Sequence, residues 1–184
     1  MRMLELALHI LDIAENSTRA GAKTVFITIV EDETRDILSM EISDDGIGMS
    51  PEVLARALDP FYTTKKVRRV GLGLPLLKDA AERTGGRLSI ESTMALGTRV
   101  HVDFGLFHID RQPLGDISGV LVTLVAGNPE VDFIYSHCTS HGRYIMDTRD
   151  IRKELEDIPI NHMEVLKFIR RNVQEGLQDI KSHA

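Results

Sequence analysis

The sequence predicts an α/β (α+β) two-layer sandwich, a mixed sheet with helices on one face, followed by a small α+β module. Three observations carry this reading. Helical and strand-like periodicities alternate along residues 1–106, glycine or acidic turns punctuate each change of period, and the pattern lapses near residue 110 before a second series begins. The elements follow in order. Stepped at ~100° per residue, Leu4, Leu6, Ala7, Ile10, Leu11, Ile13 and Ala14 share one arc of a helix, with Glu5, His9, Asp12, Asn16 and Arg19 opposite. Gly21 stops that helix, and Thr24–Val30, rich in β-branched residues, reads as a strand that ends in a turn-like acidic run, Glu31-Asp32-Glu33.

Ile37–Ser43 reads as a second strand, closed by the polar turn Asp44-Asp45-Gly46-Ile47-Gly48. Ser50 then caps a short helix from Pro51 to about Leu58, with proline in its favoured first position. A loop from Asp59 to Val70 leads to a helix over Leu74–Thr84, stopped by Gly85-Gly86, and two further strands are expected at Arg87–Glu91 and Thr98–Phe104.

Residues 1–106 are expected to form one domain, 107–112 a linker, and 113–184 a small module whose role the sequence leaves open. In that module strands are expected at Val120–Ala126, Asp132–His137 and Arg143–Met146, then a helix near Arg149–Glu156 and a longer one after Asn161. In the last helix Val165, Phe168, Ile169, Val173, Leu177 and Ile180 recur at three- and four-residue spacing, and Asn161 and Glu164 stand at capping-box positions. Its apolar stripe needs a cover, either its own hairpin or the surface of a homodimer or partner.

Composition narrows the function. The 184 residues are 42% hydrophobic and 27% charged, as in an ordinary globular protein, and the net charge of -6 argues against nucleic acid as a partner. The most apolar run, Gly119–Ala126, falls far short of the ~20 residues that span a bilayer, so no membrane segment is expected. The first residues lack the zones of a signal peptide, and a single cysteine, Cys138, fits a reducing compartment; the expected location is cytoplasmic.

Polar residues recur at spacings that a core does not need. Asp12 and Asn16 are four apart and share a helix face, so they are either a solvated stripe or a pair in which the amide ligates Mg²⁺ and the carboxylate holds an attacking group. Asp44 to Gly48 is either a solvent turn or a place where the backbone approaches a ligand and a carboxylate accepts from an exocyclic amine. Gly71-Leu72-Gly73-Leu74 precedes a helix, where free N–H groups favour phosphate, although the spacing is neither a P-loop nor a Rossmann turn. Lys65, Lys66, Arg68 and Arg69 form a basic loop suited to a triphosphate, to solvent or to a docking partner. His137, Cys138 and His141 match no zinc spacing and read as a polar hairpin tip, with part of a metal site as the alternative, and His101 reads as a strand side chain.

The segments Asp12-Ile-Ala-Glu-Asn16-Ser-Thr-Arg-Ala-Gly-Ala22, Asp44-Asp-Gly-Ile-Gly48, Asp59-Pro-Phe-Tyr-Thr-Thr-Lys65, Gly71-Leu-Gly-Leu74 and Gly97-Thr98 resemble, in order, the motif boxes of the GHKL ATPase superfamily: gyrase B, Hsp90, histidine kinases and MutL. The Phe-Tyr-Thr-Thr-Lys and Gly-Leu-Gly-Leu phrases are most similar to sensor histidine kinases, and Glu-Asn-Ser-Thr-Arg-Ala-Gly-Ala to MutL. The resemblance spans about residues 3–105 and implies a Bergerat-type fold binding ATP with Mg²⁺. It implies that Asn16 ligates Mg²⁺ and that Asp44 receives the adenine amino group, with Thr98 assisting through water and Gly46 and Gly48 shaping the pocket. It further implies that Thr63, Thr64 and Lys65 lie in a lid while Gly71, Gly73 and Leu74 wrap the phosphates.

Departures from the pattern bear on what the ATP is for. Hydrolysing members carry glutamate where this chain has Asp12, one methylene shorter, and the segment from Lys66 to Val70 lacks a lid glycine that similar kinases have. The sequence opens at the Asn16 helix, so no phosphoacceptor-His helices of its own are expected, and His9 reads as a site-lining or solvated residue. The chain therefore looks like an anti-sigma-type serine kinase or an ATP-binding partner of another protein. The favoured expectation is a kinase-like regulator that phosphorylates a protein partner in trans, with Asp12 taking or orienting the hydroxyl proton, Asn16 holding Mg²⁺ and Lys65 offsetting phosphate charge. A slow ATPase and a non-catalytic ATP-dependent switch are the alternatives.

Overall fold

A computed structural model describes residues 5–59 and 73–183. The chain runs α1 (Leu6–Arg19), β1 (Thr24–Asp32), β2 (Ile37–Asp44), α2 (Pro51–Leu54), α3 (Gly73–Glu82), β3 (Arg87–Thr93), β4 (Gly97–Gly105), α4 (Ile117–Gly127), β5 (Asp132–Thr139), β6 (Gly142–Asp147), α5 (Thr148–Glu154) and α6 (Met163–Asp179). All six strands join one mixed sheet in the order β3-β4-β2-β1-β5-β6. Every pairing is antiparallel except β1 with β5.

Strand alternation sets the layers. On β1 Val25, Ile27 and Ile29 are buried while Phe26 and Val30 are exposed, and on β2 Leu38, Met40 and Ile42 are buried, so one face meets helices and the other meets solvent. Helix α1 packs Leu6, Ile10, Ile13 and Ala14 into this core, and α3 adds Leu77 and Ala81. The first N–H groups of α1 find no capping side chain at Glu5. They are satisfied instead by the connector, with Leu6 N–H donating to Pro113 O at 2.9 Å and Ala7 N–H to Leu114 O at 2.8 Å.

The segment expected as a separate module extends this sheet. Because β4 and β5 run the same way on either side of β2 and β1, the chain must cross the sheet between them, and a helix is the usual solution. The strand expected at Val120–Ala126 is therefore corrected: these residues lie within α4, capped by Asp116, which accepts from Gly119 N–H at 2.8 Å. Packed between α1 and α6, α4 is apolar nearly all round, and in such a helix β-branched residues carry no readable period. The cap of α6 is also corrected, from Asn161 to His162, whose ring accepts from Glu164 N–H. Val165, Ile169 and Val173 lie buried in that helix, whereas Phe168 stays 46% exposed.

Glu31, expected in an acidic turn, is instead a buried residue of β1 with its side chain on the helix face. Its Oε1 accepts from His137 Nε2 at 2.7 Å and from Ser182 Oγ at 2.6 Å, and Oε2 accepts from His183 N–H at 2.9 Å. Tyr135, fully buried, reaches His137 Nδ1 through its hydroxyl at 2.7 Å. Burial alone would raise the Glu31 carboxyl, but the bonds from His137, Ser182 and His183 outweigh it and hold the group at about 2, below its ordinary 4.5.

Two predictions follow from this packing. Glu31→Ala strands His137 without its acceptor and is expected to cost about 3–5 kcal/mol in urea unfolding at neutral pH. Since the folded carboxyl is depressed, its stabilisation is complete above about pH 4.5 and is lost as pH falls through about 2, so the cost of the substitution shrinks in acid. At the β3–β4 hairpin Gly97 has φ +99° and a Cβ there would lie 1.8 Å from Asp44 O. Gly97→Ala is expected to lower stability by roughly 2–4 kcal/mol, read as a fall in the urea midpoint.

Candidate functional site

A cleft of about 830 Å³ opens among α1, the β2–α2 turn, the start of α3 and the β3–β4 hairpin. Its sides are α1 through Asp12 and Asn16, the turn through Asp44 and Gly48, and the start of α3 through Gly73 and Leu74. Thr98 and Val100 of β4 line it beside Ile42. Asp12, Asn16, Asp44, Gly48, Gly73, Leu74 and Thr98, proposed from sequence, are thus brought together, while Gly46 sits buried in the adjoining turn. Thr63, Thr64, Lys65 and Gly71 lie outside the described residues, as do Lys66, Arg68 and Arg69.

Asp44 stands at the end of β2 with its two oxygens engaged by protein on one side. Oδ2 accepts from the buried Ser17 hydroxyl at 2.6 Å, and Oδ1 accepts from Gly46 N–H at 2.9 Å. Two donors fix the carboxylate as an acceptor while it lines the cleft, which suits recognition of an exocyclic amine. The turn that follows is tight. Gly48 has φ +67°, and a Cβ would lie 2.0 Å from Thr93 O, so only glycine lets the turn lie against the hairpin.

Ser92 joins turn and hairpin. Its Oγ accepts from Met49 N–H at 2.8 Å, lies 3.0 Å from Gly97 O, and pairs with Thr98 Oγ1 at 2.9 Å. Asp45 anchors the turn from the other side by accepting from Lys23 and Thr24 N–H at 2.7 and 2.9 Å. Partial burial would raise its carboxyl, but these backbone donors prevail and hold it below the ordinary range. Sequence reasoning missed Ser17, Asp45 and Ser92. Ser17, one residue after Asn16 in the helix motif, carried a signal only in its place next to that residue.

Asp12 and Asn16 face the cleft one helical turn apart. A Cβ on Gly73 would lie 1.9 Å from Asp12 Oδ2, so the backbone at the start of α3 passes directly over that carboxylate. Arg19 lines the cleft as well, donating to Asn16 Oδ1 at 3.2 Å and pairing with Glu15. Ile47 and Met94 add exposed apolar surface at the mouth, chemistry that favours a flat ring over a fully hydrated ligand.

His9 is corrected: it is 2% exposed and does not line the cleft. Its Nε2 meets Gln112 Oε1 of the connector at 3.2 Å, its Nδ1 has no hydrogen-bond partner among the described residues, and burial pushes its pKa below the ordinary value. The hairpin-tip reading fits Ser140 and His141, whereas His137 sits within β5 with both ring nitrogens engaged and Cys138 points to the opposite face. Among the described residues no group of three or more His, Cys, Asp or Glu side chains is placed to hold a metal ion. No described helix is long and apolar enough to cross a membrane.

A family profile described as histidine kinase-, DNA gyrase B-, and HSP90-like ATPase matches residues 3–107. The sensor protein SrrB of Staphylococcus aureus is 34% identical over 102 residues, which cover 53% of this chain and 17% of that protein. The chain thus spans about a sixth of the length of this relative. Among solved structures, the N-terminal domain of a DNA repair protein superposes with a TM-score of 0.56 at 17% identity, covering 94% of this chain and 56% of the other. The Aquifex aeolicus MutL ATPase domain complexed with ADP gives 0.51 at 15% identity, covering 79% and 63%. These two share the fold. Since the profile spans more than half of the residues, the chain belongs to the histidine kinase-, DNA gyrase B-, and HSP90-like ATPase family, and the cleft lies in its ATP-binding domain.

Proposed function

We propose that the chain binds Mg-ATP in this cleft and transfers the γ-phosphoryl group to a hydroxyl of a protein partner in trans. The observation that carries the reading is a carboxylate, Asp12, under the start of α3 and one turn ahead of Asn16, in the same cleft as the doubly held Asp44. The donor set fits the ligand: Asp44 accepts from the adenine amino group, Ile47 and Met94 flank the base, and the first N–H groups of α3 favour phosphate oxygens. Asn16 supplies a neutral oxygen for Mg²⁺, which neutralises charge on the phosphates when bound.

In the transfer the partner's hydroxyl oxygen forms a bond to the γ-phosphorus, the bond from that phosphorus to the β–γ bridging oxygen breaks, and ADP leaves. Asp12 orients the hydroxyl and takes its proton, while Lys65 offsets charge developing on the phosphoryl oxygens. Thr63 and Thr64 belong to the lid in this reading, and Gly71 to the phosphate wrap. Thr98 and Gly46 complete the base pocket. The protein is taken to act in the cytoplasm as a signalling component.

Two substitutions separate binding from turnover. Asp44→Asn replaces an acceptor by a group that turns a donor toward the adenine amine, and titration calorimetry is expected to show ATP affinity reduced by roughly 10- to 100-fold. Asp12→Asn is expected to keep ATP binding within about threefold while turnover drops by roughly 10²–10⁴. Incubation with γ-labelled ATP and Mg²⁺, alone and with host extract, reads the outcome. Label on a second protein that vanishes with Asp12→Asn supports the kinase; free phosphate without labelled protein shows an ATPase; neither, with ATP still bound, shows a non-catalytic switch.

A further inference from the structure

The helix that carries Asp12 and Asn16 does not hold its own first turn. Helix α1 has no capping side chain and no acid within that turn, and its start is bound instead by the connector between β4 and α4. Pro113 O and Leu114 O accept from the Leu6 and Ala7 N–H groups, and Glu5 Oε2 accepts from Asp116 N–H at 3.4 Å. The wrap is close: Gly115 has φ +78°, and a Cβ there would lie 2.2 Å from Glu5 Oε2. The His9 ring meets the same strap, with Nε2 3.2 Å from Gln112 Oε1.

Packing alone does not call for His9. The residue is buried, its Nδ1 has no hydrogen-bond partner among the described residues, and a leucine would fill that space without leaving a polar atom bare. What the imidazole adds is the bond to Gln112. Burial holds the ring below its ordinary pKa against the Gln112 bond and the charge of Asp12, which follows three residues later on the same helix. The cleft side leaves α1 little room to move. A Cβ on Gly73 would lie 1.9 Å from Asp12 Oδ2, so even a small slide of α1 changes the gap between that carboxylate and the start of α3.

We propose that His9 and Gln112 are a positioning pair, through which the strap at residues 112–116 fixes α1 against the start of α3 and so places Asp12 and Asn16 for nucleotide. The inference rests on nucleotide binding in the cleft and not on phosphoryl transfer. Because α4 packs between α1 and α6, the strap ties the segment after β4 to the cleft through the His9 bond and the Pro113 and Leu114 carbonyls. Such coupling is reciprocal: if a closed strap tightens nucleotide binding by some factor, bound nucleotide favours the closed strap by the same factor.

Amide exchange in the 184-residue chain, followed by NMR with and without saturating Mg²⁺ and a non-hydrolysable ATP analogue, reads that factor. The Leu6 and Ala7 N–H groups are expected to exchange about fivefold more slowly with the analogue bound, while Leu166 N–H in α6 is unchanged. That response should vanish in His9→Leu. In titration calorimetry His9→Leu and Gln112→Ala should each weaken analogue binding by about fivefold and the double variant no further, whereas His9→Gln, whose amide can still meet Gln112, keeps most of the affinity. Binding without any change at Leu6 and Ala7, single variants that lower the urea midpoint and leave affinity as it was, or a double variant that adds the two losses, overturns the proposal. An analogue that does not bind the wild-type chain at all overturns the nucleotide reading and the role of the pair with it. If the variants fail to fold by circular dichroism, the wild-type exchange series alone decides.

Discussion

Burying a carboxylate in a sheet obliges the rest of the chain to come to it. Glu31 sits at the covered face of β1 with no solvent to share its charge, and its partners are drawn from β5 through His137 and from the residues after α6 through Ser182 and His183. An unpaired charge there would cost several kcal/mol, so the parallel seating of β5 on β1 and the return of the C-terminal segment are tied to one side chain. Tyr135 continues the chain of bonds one residue pair further, filling the space beside Tyr144, whose ring in turn lies against Gly176 of α6.

The cleft is held differently, by short polar side chains and turn backbone bonded to one another. Ser17, Gly46 N–H, Asp45 and Ser92 each fix a short stretch of turn, and together they present Asp44 without any side chain having to move into place. Such preorganisation lowers the ordering cost of binding, because the acceptor is already aimed and its second-best orientations are already excluded. On the α3 side the backbone at Gly73 passes close over Asp12.

Most of this was legible wherever a local rule governed. The first four strands, the helices around Ile10 and Leu77, and the glycine turn after β2 follow from period and punctuation, and the boxes holding Asp12, Asn16, Asp44 and Gly73 could be read from spacing once a family resemblance was recognised. Where tertiary context governed, the sequence misled. Val120–Val125 has the composition of a strand, but burial on nearly all sides and the need to cross the sheet make it a helix. Glu31 read as a turn residue because its partner lies on a distant strand, and His9 read as site-lining or solvated because helical spacing fixes a face without saying what covers it. Ser92 left no trace, since a hydroxyl that links two loops looks like any strand serine.

The parallel pairing of β1 with β5 also sets the order in which the molecule can be completed. Thr24 faces Asp132, so about a hundred residues must be synthesised and gathered before the inner edge of β1 is closed, a long loop whose entropy is spent before the pairing repays it. Until then a growing chain holds an open strand edge next to an unaccompanied acid. During that interval α1 and the four strands β3-β4-β2-β1 can form, and the open edge of β1 is the place where a half-made molecule would pair with the wrong neighbour.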